Sequence, residues 1–202
     1  MKLYFSPGAC SLASHIVLFE TGMPFTTERV DLQAKTTAGG ADFNRINPKG
    51  YVPALELKDG TVLTEGPAIF QFLADLTPAS NLAPANGTLE RYELIALLNF
   101  ISTEIHKNYS PLFNPQTTAE EQQVRRAALA KRYAYLEQTL AGRDFLTGDT
   151  FSVADAYLFT VSNWAGRLKV DLSGFRNLQA WQARVGMRPS VQQAMRAEGL
   201  LK

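Results

Sequence analysis

Cys10 is the only cysteine in the chain, and it follows Ser6-Pro7-Gly8-Ala9 at a point where a helix can begin. The start of a helix carries free backbone N–H groups and the positive end of the helix dipole. A thiol placed there is drawn toward ionisation, and the same donors can instead hold a thiolate brought by a ligand. A buried, inert cysteine is the competing reading. Tyr4 and Ser11 are rival hydroxyls near the same turn. A second group is Val52-Pro53, after the turn Asn47-Pro48-Lys49-Gly50. Proline entering a strand cannot donate to the ladder, so it marks an edge, a bulge or a cis bond. A cis bond there would offer the Val52 N–H and C=O to an extended peptide; a rigid loop is the alternative. Third comes Thr64-Glu65-Gly66-Pro67. Proline suits a first helical turn, Gly66 leaves room for a carboxylate at free N–H groups, and Glu65 can pair with an ammonium. Together they suit an α-amino-acid head group, although a glutamate in a first turn is commonly only a dipole partner.

The fourth group lies on one predicted helix. On a regular α-helix Asn99, Thr103 and His106 fall within a narrow sector, with Lys107 at its margin. Leu94, Leu97, Leu98, Ile101 and Ile105 fall on the other side. A polar stripe is ordinarily a solvated face, but His106 titrates near neutrality and can hydrogen-bond a sulfur. Glu104 projects elsewhere, so a ligand role for it calls for a neighbouring subunit. His15, on the first predicted helix, reads as structural.

Composition narrows the partners. Among 202 residues, 20 Lys and Arg balance 19 Asp and Glu, so no strong field favours nucleic acid or an anionic membrane. A small-molecule or protein partner is expected. One cysteine excludes an internal disulfide and a cysteine-rich metal site, and only His15 and His106 remain as imidazole ligands. Pro7 and Gly8 interrupt the N-terminus before a signal peptide could form, and no apolar run approaches the ~20 residues of a membrane span. A soluble cytoplasmic protein is expected.

The elements that must carry these groups alternate in the first eighty residues. Lys2–Phe5 and Phe25–Val30 read as strands flanking a helix over Cys10–Thr21 that Gly22 ends. Val52–Leu57 and Thr61–Leu63 read as a hairpin about Lys58-Asp59-Gly60. The following helix shows Ile69, Phe72, Leu73 and Leu76 on one face. Residues 81–86, with Pro84, read as a linker, and 87–202 as helices throughout. One helical stripe there is Leu129, Tyr133, Leu136 and Leu140, and another is Phe175, Leu178, Trp181 and Val185. Ser152-Val153-Ala154-Asp155 resembles a capping box with Asp in place of Glu or Gln. A right-handed crossover would make the first two strands parallel, with the hairpin antiparallel to them. The fold class is therefore α+β: a mixed four-stranded sheet with helices over 1–80, then an all-helical domain.

Four motifs in this order resemble the glutathione transferase family. They are Ser6-Pro7-Gly8-Ala9-Cys10-Ser11, the run from Asn47 to Leu55, the run from Leu63 to Ile69, and the run from Phe151 to Tyr157. Cys at the first turn with His106 on the first helix of the second domain is similar to the bacterial beta class. The resemblance implies a thioredoxin-like first domain, a cis Val52-Pro53 bond, a homodimer and a detoxifying transferase with glutathione as co-substrate and no metal. It implies that Cys10 and His106 serve the glutathione sulfur and that Val52 binds the cysteinyl backbone. Glu65 and Gly66 would take the γ-glutamyl end, Lys35 the glycine carboxylate, and Asn99, Thr103 and Glu104 the rim. Pro53, Ser152 and Asp155 would be structural. A small hydrophobic electrophile would occupy a pocket of the second domain that the sequence marks poorly, with Phe113 and Trp164 as candidate lining residues. The reaction implied is conjugation, with thiol–disulfide or peroxidase chemistry through Cys10 as a second activity. A thiol oxidoreductase and a non-catalytic binding protein on the same fold are the alternatives.

Overall fold

The computed structural model describes residues 1–201 and divides into two compact units. The first comprises Met1–Ser80 and the chain from Arg188 onward; the second is Asn81–Met187.

In the first unit β1 (Lys2–Phe5), α1 (Ser11–Thr21) and β2 (Thr26–Asp31) form a β-α-β crossover with β1 and β2 parallel. Gly22 closes α1 at φ 65°, a left-handed cap that costs glycine nothing. β4 (Ala54–Glu56) pairs antiparallel with β1, and β5 (Val62–Thr64) antiparallel with β4. The expected hairpin starts later than Val52 because Pro53 has no N–H to give the ladder. With β3 (Thr36–Thr37) the sheet has five strands rather than four, in the order β3-β2-β1-β4-β5. The added strand is too short to leave a pattern in the sequence, and is folded back on β2 by Ala38 N–H donating to Arg29 C=O at 2.8 Å.

α2 (Phe43–Ile46) is capped by Asp42. α3 (Gly66–Leu76) buries Ile69, Phe70, Leu73 and Ala74. The sequence pattern instead selects Phe72 and Leu76; Phe72 is half-buried and Leu76 is exposed. α1 is buried along Ser11–Leu18, as expected for a helix covered on several sides. It packs against α3, β1 and the last helix.

The second unit holds α4 (Leu89–Phe100), α5 (Lys107–Tyr109), α6 (Ala119–Thr139), α7 (Val153–Ser162) and α8 (Arg176–Gly186). Leu129, Tyr133, Leu136, Leu140, Leu178, Trp181 and Val185 are buried as their spacing requires, and Phe175 is half-buried. Between α4 and α5 the backbone widens into a π-helical stretch, Ile101–His106. Residues 81–86 are anchored within this unit rather than running free. Leu82 is buried and accepts from Val153 N–H at 3.0 Å, and Arg91 donates to Pro84 C=O at 3.0 Å.

Sequence alone assigns 87–202 to the helical half. In the structure α9 (Pro189–Ala197) and the residues around it belong with the first unit. Arg188 grips the Glu20 carboxylate with two N–H groups at 2.7 and 3.0 Å, and Ser190 hydrogen-bonds the same carboxylate. Glu198, buried, meets His15 on α1. These links span more than 160 residues of sequence, which no local pattern reveals. No helix among the described residues is long and apolar enough to cross a membrane.

Candidate active site

Cys10 stands immediately before α1, and its Sγ donates to Val52 C=O at 3.1 Å. Burial pushes the thiol up to about 12, and the carboxylates of Glu65 and Glu198 add to this. The N–H groups of Cys10 and Ser11 pull in the other direction without prevailing. The helix start therefore does not make Cys10 a thiolate, because desolvation outweighs the few donors there. The turn before it is held from behind. Glu198 accepts from Gly8 N–H at 2.9 Å with one oxygen and meets His15 Nδ1 at 3.0 Å with the other. His15 is stacked on Phe19, with Phe5 and Phe25 against its ring, so its structural reading holds.

The Val52–Pro53 bond is cis. Val52 is buried, its C=O is engaged by Cys10, and its N–H has no hydrogen-bond partner among the described residues. Unpaired buried N–H groups are rare in folded chains.

Glu65 caps α3 with φ 69°, a region that ordinary side chains avoid at a cost of about 1–3 kcal/mol. Its carboxylate receives Lys49 Nζ at 2.6 Å and Tyr51 Oη at 2.9 Å, and the Lys49 hydrogen bond holds it below the usual carboxylate range despite partial burial. Gly66 has a structural reason for its missing side chain. A Cβ there would lie 2.8 Å from the Phe70 ring. Lys35, at φ 56°, donates to Gly50 C=O at 2.6 Å and so braces the turn that leads into Val52. Sequence alone does not single out Lys49 and Tyr51, whose one signal is nearness to the Asn-Pro turn.

In the second unit His106 ends the π-helical stretch. Each residue of a π-helix advances less about the axis than in an α-helix, because its bonds close over five residues instead of four. His106 is thereby turned off the face that carries Asn99 and Thr103, which are exposed. Thr103 donates to Asn99 C=O at 3.0 Å, and Glu104 is taken by Arg132 at 2.6 Å. The His106 ring is half-buried between Trp164, 5.1 Å away centre to centre, and Tyr157, whose hydroxyl is 2.7 Å from Nδ1. Burial lowers its pKa to about 4, with Lys107 adding to the effect, so the imidazole is neutral at pH 7. Trp164 also packs on Phe113 and Tyr109 in edge-to-face geometry.

Ser152 and Asp155 fix the start of α7. The buried Asp155 carboxylate accepts from Leu146 N–H, Ser152 N–H, Ser152 Oγ and Trp181 Nε1, at 2.8–2.9 Å. No group of three or more His, Cys, Asp and Glu that could hold a metal is found among the described residues.

Residues 8–76 match the description of the glutathione S-transferase N-terminal domain, and residues 100–189 that of its C-terminal domain. The chain belongs to the glutathione S-transferase family. It is 48% identical over 200 residues to glutathione S-transferase GstA of Escherichia coli O157:H7, covering 99% of this chain and all of that one. It is 46% identical to a sphingomonad glutathione S-transferase in complex with glutathione, with TM-score 0.96 and both chains fully covered. To the beta-class enzyme of Sphingomonas chungbukensis it is 45% identical, again at TM-score 0.96 over both whole chains. The protein is a transferase by class and a close relative of the bacterial beta-class glutathione S-transferases.

Proposed function

We propose that this glutathione S-transferase conjugates glutathione to small hydrophobic electrophiles, with Val52, Glu65 and Cys10 holding the peptide. The observation that carries this reading is the unpartnered N–H of buried Val52 beside the Cys10 thiol. An extended tripeptide can supply the missing acceptor through its cysteinyl carbonyl. Glu65, already ionised and oriented by Lys49 and Tyr51, suits the γ-glutamyl ammonium, with the free N–H of Gly66 for the neighbouring carboxylate. Lys35 serves the glycine carboxylate, and Asn99, Thr103 and Glu104, which lie off the His106 face, complete the rim only from a neighbouring subunit of the homodimer. Further support comes from the 46% identity to a relative whose structure contains glutathione.

The glutathione thiol loses its proton to solvent, and the thiolate attacks the electrophilic carbon. A carbon–sulfur bond forms as the leaving group departs with its electron pair. Cys10 and His106 serve that sulfur as neutral groups. Burial holds the Cys10 thiol up at about 12, so it is protonated at pH 7, and Cys10 acts as an S–H donor to that sulfur by turning its proton away from the Val52 C=O. Hydrogen bonds to a charged acceptor are worth about 1.5–3 kcal/mol each, enough to favour the bound thiolate by one pKa unit or more. Mixed-disulfide chemistry needs the Cys10 thiolate and is a minor, alkaline activity in this reading.

The electrophile lies against Phe113 and Trp164. The enzyme works as a cytoplasmic homodimer, a reading supported by the exposed Leu89, Tyr92 and Tyr135 of the second unit. A groove of about 540 Å³ lined by Leu97, Phe100 and Tyr135 and rimmed by Glu93, Lys131 and Arg132 lies on α4 and α6. The test is calorimetric titration with glutathione, paired with conjugation of an activated aromatic halide. Binding that Glu65→Ala weakens at least tenfold is expected. A folded wild-type protein that takes up no glutathione at millimolar concentration would sink the reading.

A further inference from the structure

The capping segment that starts α7 carries Tyr157 two residues beyond Asp155, and it is the Tyr157 hydroxyl that meets His106 Nδ1 at 2.7 Å. We infer that Tyr157 is a positioning residue that fixes His106 as the Nε2–H tautomer, so that His106 offers a hydrogen-bond donor rather than a base. The inference rests on the proposed placement of His106 at the glutathione sulfur.

Two physical arguments lead to it. The first is the sense of the Tyr157–His106 hydrogen bond. A phenol is a far better donor than a neutral imidazole, and an imidazole nitrogen a far better acceptor than a phenol oxygen. The pair therefore settles with the Tyr157 O–H donating and Nδ1 bare, which puts the single ring proton on Nε2. Nε2 has no hydrogen-bond partner among the described residues, so its proton is available to a ligand. Positive charge is disfavoured at this ring, whose burial already holds it neutral.

The second argument is rigidity. Tyr157 is 3% exposed, and the turn before it is bound by the four donors that converge on Asp155. Val153 N–H adds a fifth tie to Leu82 C=O at 3.0 Å. The Tyr157 and His106 rings stand edge to face at 85°, with Trp164 against the imidazole. A hydroxyl held this firmly selects one tautomer and one ring orientation, which is how a buried partner usually tunes a functional histidine. The capping box thus reaches the chemistry through one side chain, in addition to starting a helix.

The test uses the full-length protein and Tyr157→Phe, which keeps the packed ring and removes only the hydroxyl. Long-range ¹H–¹⁵N correlation of the wild type reads the tautomer directly, without reference to activity. The Nε2–H form is expected, with a mixture of tautomers in the variant. The conjugation kcat should fall about tenfold in Tyr157→Phe, in line with one lost hydrogen bond of about 1.4 kcal/mol, while the glutathione KM stays within about twofold. In a His106→Ala background the same substitution should cost kcat little further, because the Tyr157 hydroxyl reaches the chemistry through the imidazole. A wild-type protein in the Nδ1–H form overturns the inference, and so does an equal loss in both backgrounds. If His106→Ala alone leaves kcat intact, it is the placement of His106 at the sulfur that fails, whatever tautomer the spectrum shows.

Discussion

Acid should weaken this fold through His106, and by a calculable amount. The imidazole titrates at about 4 in the folded protein against an ordinary 6.5, because burial removes water from its charged form. A depressed folded pKa means that the unfolded chain binds the proton more readily between these values. The stability contributed is therefore complete above pH 6.5 and is lost as pH falls toward 4. The whole gap is worth about 3 kcal/mol, and the slope inside it is about 1.4 kcal/mol per pH unit. In urea this is a midpoint shift of roughly 1–2 M. The assay is urea unfolding of wild type and His106→Gln from pH 7.5 to 4, with the imidazole followed by NMR titration in the folded protein. Carboxylates such as Glu65, held low by Lys49, are common to both proteins and subtract out. The wild-type curve should fall more steeply than that of the variant across the window. Parallel curves, or an imidazole that titrates near 6.5, would refute the reasoning.

Other perturbations follow from single sites. Glu198→Ala should cost about 1–3 kcal/mol, since it takes the carboxylate from buried His15 and from the Gly8 N–H; a loss below about 1 kcal/mol in chemical unfolding would show that water replaces the carboxylate. Alkylation of Cys10 by iodoacetamide, followed by mass spectrometry, should climb with pH and reach no plateau below pH 10; a plateau near pH 7 would mean that the helix start prevails over burial. Gly66→Ala should destabilise by about 1–3 kcal/mol through the Phe70 ring, and Phe70→Leu should relieve most of that added cost in thermal melts.

What the sequence shows of this fold follows from the range of the interactions involved. Gly22 as a cap, Asp59-Gly60 in the hairpin and Ser152 with Asp155 at α7 are local chemistry, and their backbone consequences are legible within four residues. The Cys10 turn, the Val52–Pro53 bend and Glu65 are legible for the same reason. The partners of these groups are not, because they come from afar: Glu198 to Gly8 across 190 residues, and Tyr157 to His106 across 51. The π-helical stretch defeats the angular argument for Asn99, Thr103 and His106, since that argument assumes an unbroken α-helix. Leu76 fails for another reason. Periodicity identifies an apolar face, but only packing decides where along the helix that face is covered.

The same distinction governs the electrostatics, and it changes the chemistry attributed to the site. A cysteine at a helix start suggests, as a residue type, a lowered thiol, and a histidine on a polar stripe suggests an imidazole that titrates near neutrality. Burial drives both away from those values, to about 12 for Cys10 and about 4 for His106. Neither group then carries charge at pH 7; the imidazole keeps one ring proton, and the Cys10 proton is held on the Val52 C=O. In the proposed function each acts as a neutral donor to an anion that arrives from outside, not as half of an ion pair. A resident thiolate would repel the incoming glutathione sulfur, whereas a resident thiol accommodates it. Desolvation, which takes reactivity away from Cys10 itself, is on this reading what leaves the negative charge to the substrate.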